Sequence, residues 1–351
     1  MSFSTSSITN DVLSTTIQHI HPEVVDGLYQ VTPFLSVSQK LKKIKTGVGG
    51  NSLMVPVAKQ DGATITSLIN GWDEIDLTAQ SVTDQAQFQW DMVAIPVMIA
   101  GKWESENSGK EAILSYADTV YREAMGELMR AVNRQIVRGS VSGFNTLNSL
   151  NGNAGSTYGQ SAALATGRGL LVPAIAGSQG YVGGLARGSV VGLNNQWIQA
   201  GTTLGRNDFF KAETLASMYL PSNGDGGVFH LTLASPAAYQ IYRSAMGDQV
   251  RYVDSKSFDI SPGGVRGIEF STGAIFADPE MDVSASGDGK NSVMALNLDG
   301  VGLTLVKGGN FEFTGFTTPY NYHGRIGKII FHGALGASHL GSQALITNGE
   351  T

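Results

Sequence analysis

The sequence predicts an α+β fold, and three stretches carry that prediction. Residues 46–100 alternate with the two-residue period of strands. Residues 109–138 repeat apolar side chains at helical spacing. Residues 206–351 alternate helix and strand signals.

In chain order, residues 1–45 read as an arm. Ile8, Val12, Leu13, Ile17 and Ile20 recur at helical spacing, and the pattern stops before Pro22, whose ring disfavours helix in the preceding residue. The arm ends in a basic patch of Lys40, Lys42, Lys43 and Lys45. Such a patch reads either as a solvated face or as a contact for DNA or an acidic partner.

Residues 53–57 form a strand, and Asp61-Gly62 and Asn70-Gly71 are hairpin turn signals. A second strand places Ala86, Phe88, Trp90 and Met92 on one side and Gln85, Gln87, Gln89 and Asp91 on the other. It runs on through residues 93–100, where Pro96 cannot donate to a ladder and so marks an edge or a bulge. Across 46–100 one base, Lys59, stands against Asp61, Asp73, Glu74, Asp76, Asp84 and Asp91.

The helix over 109–138 opens with Ser108 and Glu111 at capping-box spacing. Leu114, Ala117, Tyr121, Ala124, Leu128 and Val132 line one face. Glu111, Asp118, Glu123 and Glu127 precede Arg130, Arg134 and Arg138, the order the macrodipole favours, and Gly139 supplies the stop. About 30 residues at 1.5 Å each make a spine of roughly 45 Å.

Residues 139–205 hold 15 glycines and two charges, Arg168 and Arg187. That composition fits a flexible linker or a backbone packed against neighbours. The apolar runs Leu170-Leu171-Val172 and Val190-Val191 favour packing. Beyond them, helices are predicted over 207–220, ending at Pro221, and over 236–246. Strands are predicted over 228–233, 268–270, 274–277, 293–298, 301–306, 312–316 and 328–332. The tail after Ser338 reads as small and polar.

Composition removes several function classes. The 351-residue chain has 15% charged residues, against about 25% in typical domains, and 45 glycines. A charge-poor chain stays in solution by covering its surface with other protein, which points to an assembly. With no Cys, thiol chemistry, disulfides and Cys-ligated metal are excluded. No run of 18 apolar residues occurs, and the start MSFSTSSITND lacks the basic and apolar parts of a secretory signal. A net charge of −6 argues against the chain as a whole being a nucleic-acid binder. The expectation is a soluble protein made inside the cell, with no membrane partner.

The catalytic search returns negatives. No Gly-Lys pair is followed by Ser or Thr, Gly47-Val48-Gly49 lacks the third glycine of a dinucleotide fingerprint, and Gly139 to Gly143 has Val at the nucleophile position. His19 and His21 have no carboxylate cluster beside them, and His323, His332 and His339 read as ordinary hydrogen-bonded histidines. Asp278, Glu280 and Asp282 alternate as in a calcium loop. Val283 and Gly289 stand where that loop needs its glycine and its glutamate, so an acidic strand end is the better reading. No catalytic, cofactor or metal residues are predicted.

The order of parts resembles the major capsid protein of tailed double-stranded DNA bacteriophages. NGWDEID at 70–76 looks like the tip of that family's extended loop. FQWDMVAIPVMIA at 88–100, followed by ESEN at 104–107, looks like its return strand leading into the spine helix. RGIEF at 266–270, AIFADP at 274–279 and ALNLDGVGL at 295–303 look like its axial strands. The resemblance covers most of the chain and is loosest over 139–205.

The resemblance implies a division into an N-terminal arm (1–45), an extended β-hairpin loop (46–102) and a peripheral domain with the spine helix (103–205). An α/β axial domain (206–305) and C-terminal strands returning to the peripheral domain (306–351) would follow. It implies a shell subunit, not an enzyme, that forms hexamers and pentamers around packaged DNA touched without sequence preference, in a virion assembled in the host cytoplasm. A portal and a separate scaffolding protein are implied partners, since about 45 residues before the loop leave little room for a cleaved scaffold segment. Some members carry a Lys–Asn crosslink; no motif here identifies an Asn partner for Lys59.

Candidate contacts between subunits follow from charge and from an aromatic tip. Asp73, Glu74 and Asp76 of one loop would meet Arg130, Arg134 and Arg138 of the next subunit's helix, unless those arginines are simply solvated. Trp72 would be covered by a neighbour or by its own domain. The competing readings are a tail tube or sheath subunit, a surface-layer protein, and a hydrolase built on two carboxylates.

Overall fold

The computed structural model describes residues 32–47, 49–58, 83–102, 110–137, 146–148, 169–171, 181–187, 190–200, 204–220, 228–246, 267–281, 292–321 and 323–348. Along the chain, α1 (Pro33–Lys40) leads through β1 (Lys45–Gly47) into the hairpin strands β2 (Ser52–Ala58) and β3 (Thr83–Gln89). Then come β4 (Asp91–Ala100) and the spine helix α2 (Lys110–Val137). Short strands β5 (Thr146–Asn148), β6 (Gly169–Leu171), β7 (Tyr181–Val182) and β8 (Leu185–Ala186) precede β9 (Gln196–Ala200), α3 (Arg206–Ser217), β10 (Leu231–Ala234) and α4 (Pro236–Met246). The chain closes with β11 (Ile268–Phe270), β12 (Gly273–Ala277), β13 (Val293–Leu296), β14 (Val301–Val306), β15 (Glu312–Phe313), β16 (Gly324–Ala337) and β17 (Ala344–Asn348).

Two sheets organise these elements. The first has five strands in the order β1-β14-β16-β15, with β4 paired to the other side of β16. The spine helix buries Ala117, Tyr121, Met125, Leu128, Met129, Val132 and Ile136 in the core that this sheet shares. The Tyr121 ring meets Phe313 edge-on at 5.6 Å, and burial pushes its phenol pKa well above the usual range. The second sheet has six strands in the order β11-β12-β10-β13-β17-β9. Its alternate residues divide cleanly. Ala234, Ile275, Val293, Ala295 and Ile346 face α3 and α4, where Phe209, Phe229, Tyr242 and Phe270 pack together. Leu231, Leu233, Phe276, Met294 and Leu345 face the other way and join the spine-helix core.

Two strand pairs pass from one sheet to the other. β13 continues into β14 and β16 into β17, and the ladder between them is interrupted at residues 297–300 and 338–343. The side-chain amide of Gln343 fills that gap. Its Oε1 accepts the Asn297 N–H at 2.6 Å and its Nε2 donates to the Asn297 carbonyl at 2.8 Å. Both residues are buried, so the amide substitutes for the missing backbone partner.

Several sequence expectations hold at the level of single elements. The spine helix, the helix over 236–246 and the strands over 268–270 and 301–306 lie where predicted. β4 pairs only with β16 among the described residues, as Pro96 requires of an edge strand. Ser108, Gly139 and the turn signals at 61–62 and 70–71 lie outside the described residues.

Others are corrected. Residues from Pro33 onward are not arm but body: Phe34, Leu35 and Val37 are fully buried and β1 pairs with β14. The alternation across 86–92 does not run through, because the ladder changes partner at Trp90. β3 pairs with β2 and buries Ala86 and Phe88, whereas β4 pairs with β16 and buries Val97 and Ile99, leaving Met92 exposed. The small, polar tail is in fact strand β17, with Ala344, Leu345 and Ile346 fully buried between β13 and β9. β9 and β17 therefore belong to the six-stranded sheet and β14 to the five-stranded one.

Candidate assembly surfaces

The spine helix meets the six-stranded sheet through a polar clasp. Asp278, at the end of β12, accepts the Glu280 N–H at 2.9 Å and so shapes the turn over Pro279–Met281. Asn133 of α2 donates to the same carboxylate at 3.2 Å, while its own Oδ1 is buried without a hydrogen-bond partner among the described residues. Burial raises the Asp278 pKa above the ordinary carboxylate value, against the lowering effect of the Glu280 N–H and Asn133. Beside it, Arg134 Nε donates to Glu280 Oε2 at 3.1 Å. The acidic strand end at 278–280 thus serves packing, and Asp282 lies outside the described residues.

A groove of about 290 Å³ opens between β1 and β2. Its basic rim comes from the end of α1. That helix starts on Pro33, whose fixed φ suits a first turn. It stops in a six-to-one closure, with Lys43 N–H donating to Ser38 O and Lys42 N–H to Gln39 O. The closure puts Lys42 at φ +54, a position glycine normally takes. Lys42 and Lys45 are exposed and make no ion pair among the described residues, while Lys43 pairs with Asp299. Leu53, Val55 and Leu298 supply an apolar floor.

The five-stranded sheet leaves part of one face open, along β4 and the facing stretch of β16 with Lys328, while Leu53 and Phe88 of the β2–β3 pair cover the same face near Gly336. Met92 and Met98 on β4 are 58% and 59% exposed, with Ala94 and Pro96 exposed between them. Across the register Ile326 stands opposite Met98 and Ile330 opposite Ala94, both half-buried on the same face.

The glycine-rich stretch is packed at Leu170, Leu171, Val182, Gly183, Arg187 and Val190, while Tyr181 and Gly184 are exposed. Gly183, at φ +56, accepts the Gln87 N–H at 2.8 Å and lies so close to β3 that an added Cβ would stand 2.8 Å from Ala86 Cβ. Arg187 is 4% exposed and donates to the carbonyls of Leu170 at 2.6 Å and Leu193 at 2.9 Å, and to Asn195. Burial pulls its pKa down to about 9, so it remains protonated at neutral pH. A charge inside an uncharged segment was the available signal for this buried stitch.

Of the predicted contact residues, Arg130 is exposed on the helix and Arg134 is held within the chain by Glu280. Trp72, Asp73, Glu74, Asp76 and Arg138 lie outside the described residues. His332 packs edge-on to Trp90 at 6.3 Å, and His339 Nδ1 accepts the Gly341 N–H at 3.0 Å. Among the described residues no group of three or more His, Asp or Glu could hold a metal, and no helix is long and apolar enough to cross a membrane.

No protein-family model and no curated protein matches the sequence. Solved structures do match by shape. The capsid of cyanophage A-1(L) aligns with a TM-score of 0.56 at 13% identity, over 90% of this chain and 92% of its own. The holo-SrpI encapsulin complex from Synechococcus elongatus PCC 7942 aligns with a TM-score of 0.53 at 11% identity, over 89% and 87%. The capsid of a native GTA particle aligns with a TM-score of 0.53 at 8% identity, over 90% and 91%. The chain has the fold of these shell subunits, the fold that its order of parts resembles.

Proposed function

We propose that the chain is the structural subunit of an icosahedral capsid, self-assembling into hexamers and pentamers whose shell encloses double-stranded DNA. One observation carries the reading. The chain, with its spine helix and two sheets, aligns over nine-tenths of its length with the subunits of two capsids. Physical features agree with it. Along β4 the five-stranded sheet keeps Met92, Ala94, Pro96 and Met98 exposed, a strip that a neighbouring chain could cover. No chemistry is assigned to any residue. Portal, separate scaffolding protein and a virion location in particles built in the host cytoplasm belong to the same proposal.

The likeness to an encapsulin supports a second reading, a shell around protein cargo. Electron microscopy and light scattering on the purified chain test both. Closed shells, or rings of six 37.0 kDa chains, support the shell subunit. Nucleic-acid absorbance inside native shells favours the capsid, and co-purified protein favours the compartment. Open tubes would replace both with the tail-protein reading, and a monomer at every salt and concentration would overturn all three.

A further inference from the structure

We propose that the Gly183-Gly184 turn is a latch that sets the angle at which the β2–β3 pair leaves the body, with Gly183 a positioning residue for shell assembly. The inference rests on the shell-subunit reading and adds what fixes the shape of the assembling subunit.

The β2–β3 pair forms a two-stranded sheet of its own with little to brace its entry. There Gly49 and Gly50 lie at φ +103 and +118, and among the described residues nothing stands within 4 Å of a Cβ added at Gly49. Two glycines in this region make a joint without side chains. On the exit side the ladder changes partner at Trp90, whose ring lies against Gly47. Two close approaches then stop the pair from swinging. Gly336 of β16 lies beneath Leu53, Val55 and Phe88, and Gly183 lies beside β3.

The bond to Gly183 is the informative one. Gln87 stands opposite Met54 in the ladder, yet its N–H turns away from β2 and donates to the Gly183 carbonyl at 2.8 Å. An outward amide of a two-stranded sheet otherwise faces water. The receiving turn is firmly rooted. Tyr181 pairs with Ala186 and Val182 with Leu185, so Gly183 and Gly184 are the two central residues of a hairpin, both at positive φ as a type I′ turn requires. Val182 is fully buried, and Arg187, one residue past β8, ties the segment to Leu170 and Leu193.

Leverage makes the spacing matter. From the root at Gln89, Gln87 lies roughly 7 Å along β3 and Thr83 roughly 20 Å at the ordinary strand rise. A Cβ at Gly183 would stand 2.8 Å from Ala86 Cβ and 3.0 Å from Gln87 N. Restoring an ordinary contact of about 3.5–4 Å moves β3 by roughly 1 Å at the latch, and so by about 3 Å at Thr83. Gly184 supplies the matched control. It is exposed, at φ +81, and a Cβ there meets nothing within 4 Å among the described residues.

The test sets Gly183→Ala and Gly184→Ala beside the parent. Both put alanine at positive φ, and only the first pushes on β3. Hydrogen exchange at Gln87 is read on the unassembled full chain, shell diameter by electron microscopy and folding by circular dichroism. In the parent the Gln87 amide is expected to exchange roughly tenfold more slowly than that of Gln85, the next outward amide on β3, which reaches only the Asp84 side chain. Gly183→Ala is expected to erase that protection and to change or spread the shell diameter, while Gly184→Ala keeps both at parent values. A parent Gln87 amide as fast as Gln85 overturns the latch whether or not any variant folds. Equal changes in both variants would assign the effect to strain in the turn and overturn it. Parent-like shells from Gly183→Ala with Gln87 unprotected overturn the positioning role. A parent that never assembles overturns the shell reading and the role in assembly with it, while Gln87 exchange still reports the latch itself.

Discussion

The two sheets of this chain solve burial differently. In the six-stranded sheet both faces are closed from within, one by α3 and α4 and the other by the core around α1 and the spine helix. Its central strands β10 and β13 read as continuous buried runs. In the five-stranded sheet the spine helix covers one face, and on the other the β2–β3 pair covers the stretch near Gly336 while Met92, Ala94, Pro96 and Met98 leave an open apolar strip along β4. A closed sheet contributes stability to the monomer. An open apolar face contributes little until another surface covers it, so its residues act on assembly.

A buried stitch beside the two sheets is the place where a substitution should cost most. Arg187 bonds Leu170 in β6 and Leu193 just ahead of β9, so it holds the glycine-rich segment together within the spine-helix core. Arg187→Leu leaves two buried carbonyls without this donor and is expected to lower unfolding free energy by about 3–5 kcal/mol. Urea denaturation of the unassembled chain reads this directly. A loss below about 1 kcal/mol would mean that water or relaxation satisfies those carbonyls.

Matched substitutions sharpen the comparison. Met294 on β13 is fully buried, so Met294→Gln buries an amide among apolar side chains and should cost about 2–4 kcal/mol. Met98→Gln on the open face should stay within about 0.5 kcal/mol of the parent in the monomer, while reducing assembly measured by light scattering. Equal effects on monomer stability would erase the distinction between the sheets. Gln343→Ala falls between these, at about 2 kcal/mol, because it strands the Asn297 N–H and carbonyl at the crossover. Hydrogen exchange should then rise at residues 297–300 before it rises in either sheet.

The pattern of what could be read beforehand follows the physics. The spine helix was legible because 28 residues at one period outweigh any single exception. β14 and α4 were legible because turn residues bracket them. α1 was not, since eight residues starting at Pro33 hold barely two turns of pattern. The turnover at Trp90 was hidden because period-two alternation cannot show that a strand has changed partner and flipped phase. β17 was hidden because three apolar residues among polar ones become a buried strand only when β13 and β9 flank them. The groove joins residues near 42, 55 and 298, and Arg134 meets Glu280 across 146 positions. A charge count names such residues and cannot pair them.

That last pairing sits beside a carboxylate whose ionisation opposes the fold. Burial raises the Asp278 pKa in the folded chain above its unfolded value near 3.8, so the folded state holds the proton to higher pH. The stability that protonated Asp278 contributes is therefore complete below the unfolded pKa and lost as pH rises through the folded one. Glu280 adds to the rise and is itself held by Arg134. His339 acts in the opposite sense. Burial lowers its pKa, so its contribution fades as pH falls through 6.5. Because His339 is common to both proteins, the difference in melting between parent and Asp278→Asn isolates the carboxylate. The asparagine keeps an Oδ1 acceptor for the Glu280 N–H and for Asn133 Nδ2 and removes the buried charge. The variant should melt above the parent at pH 7, and the gap should close toward pH 4. A gap that widens on acidification would mean that the ionised carboxylate holds the spine helix to the sheet, and that the clasp draws its strength from charge.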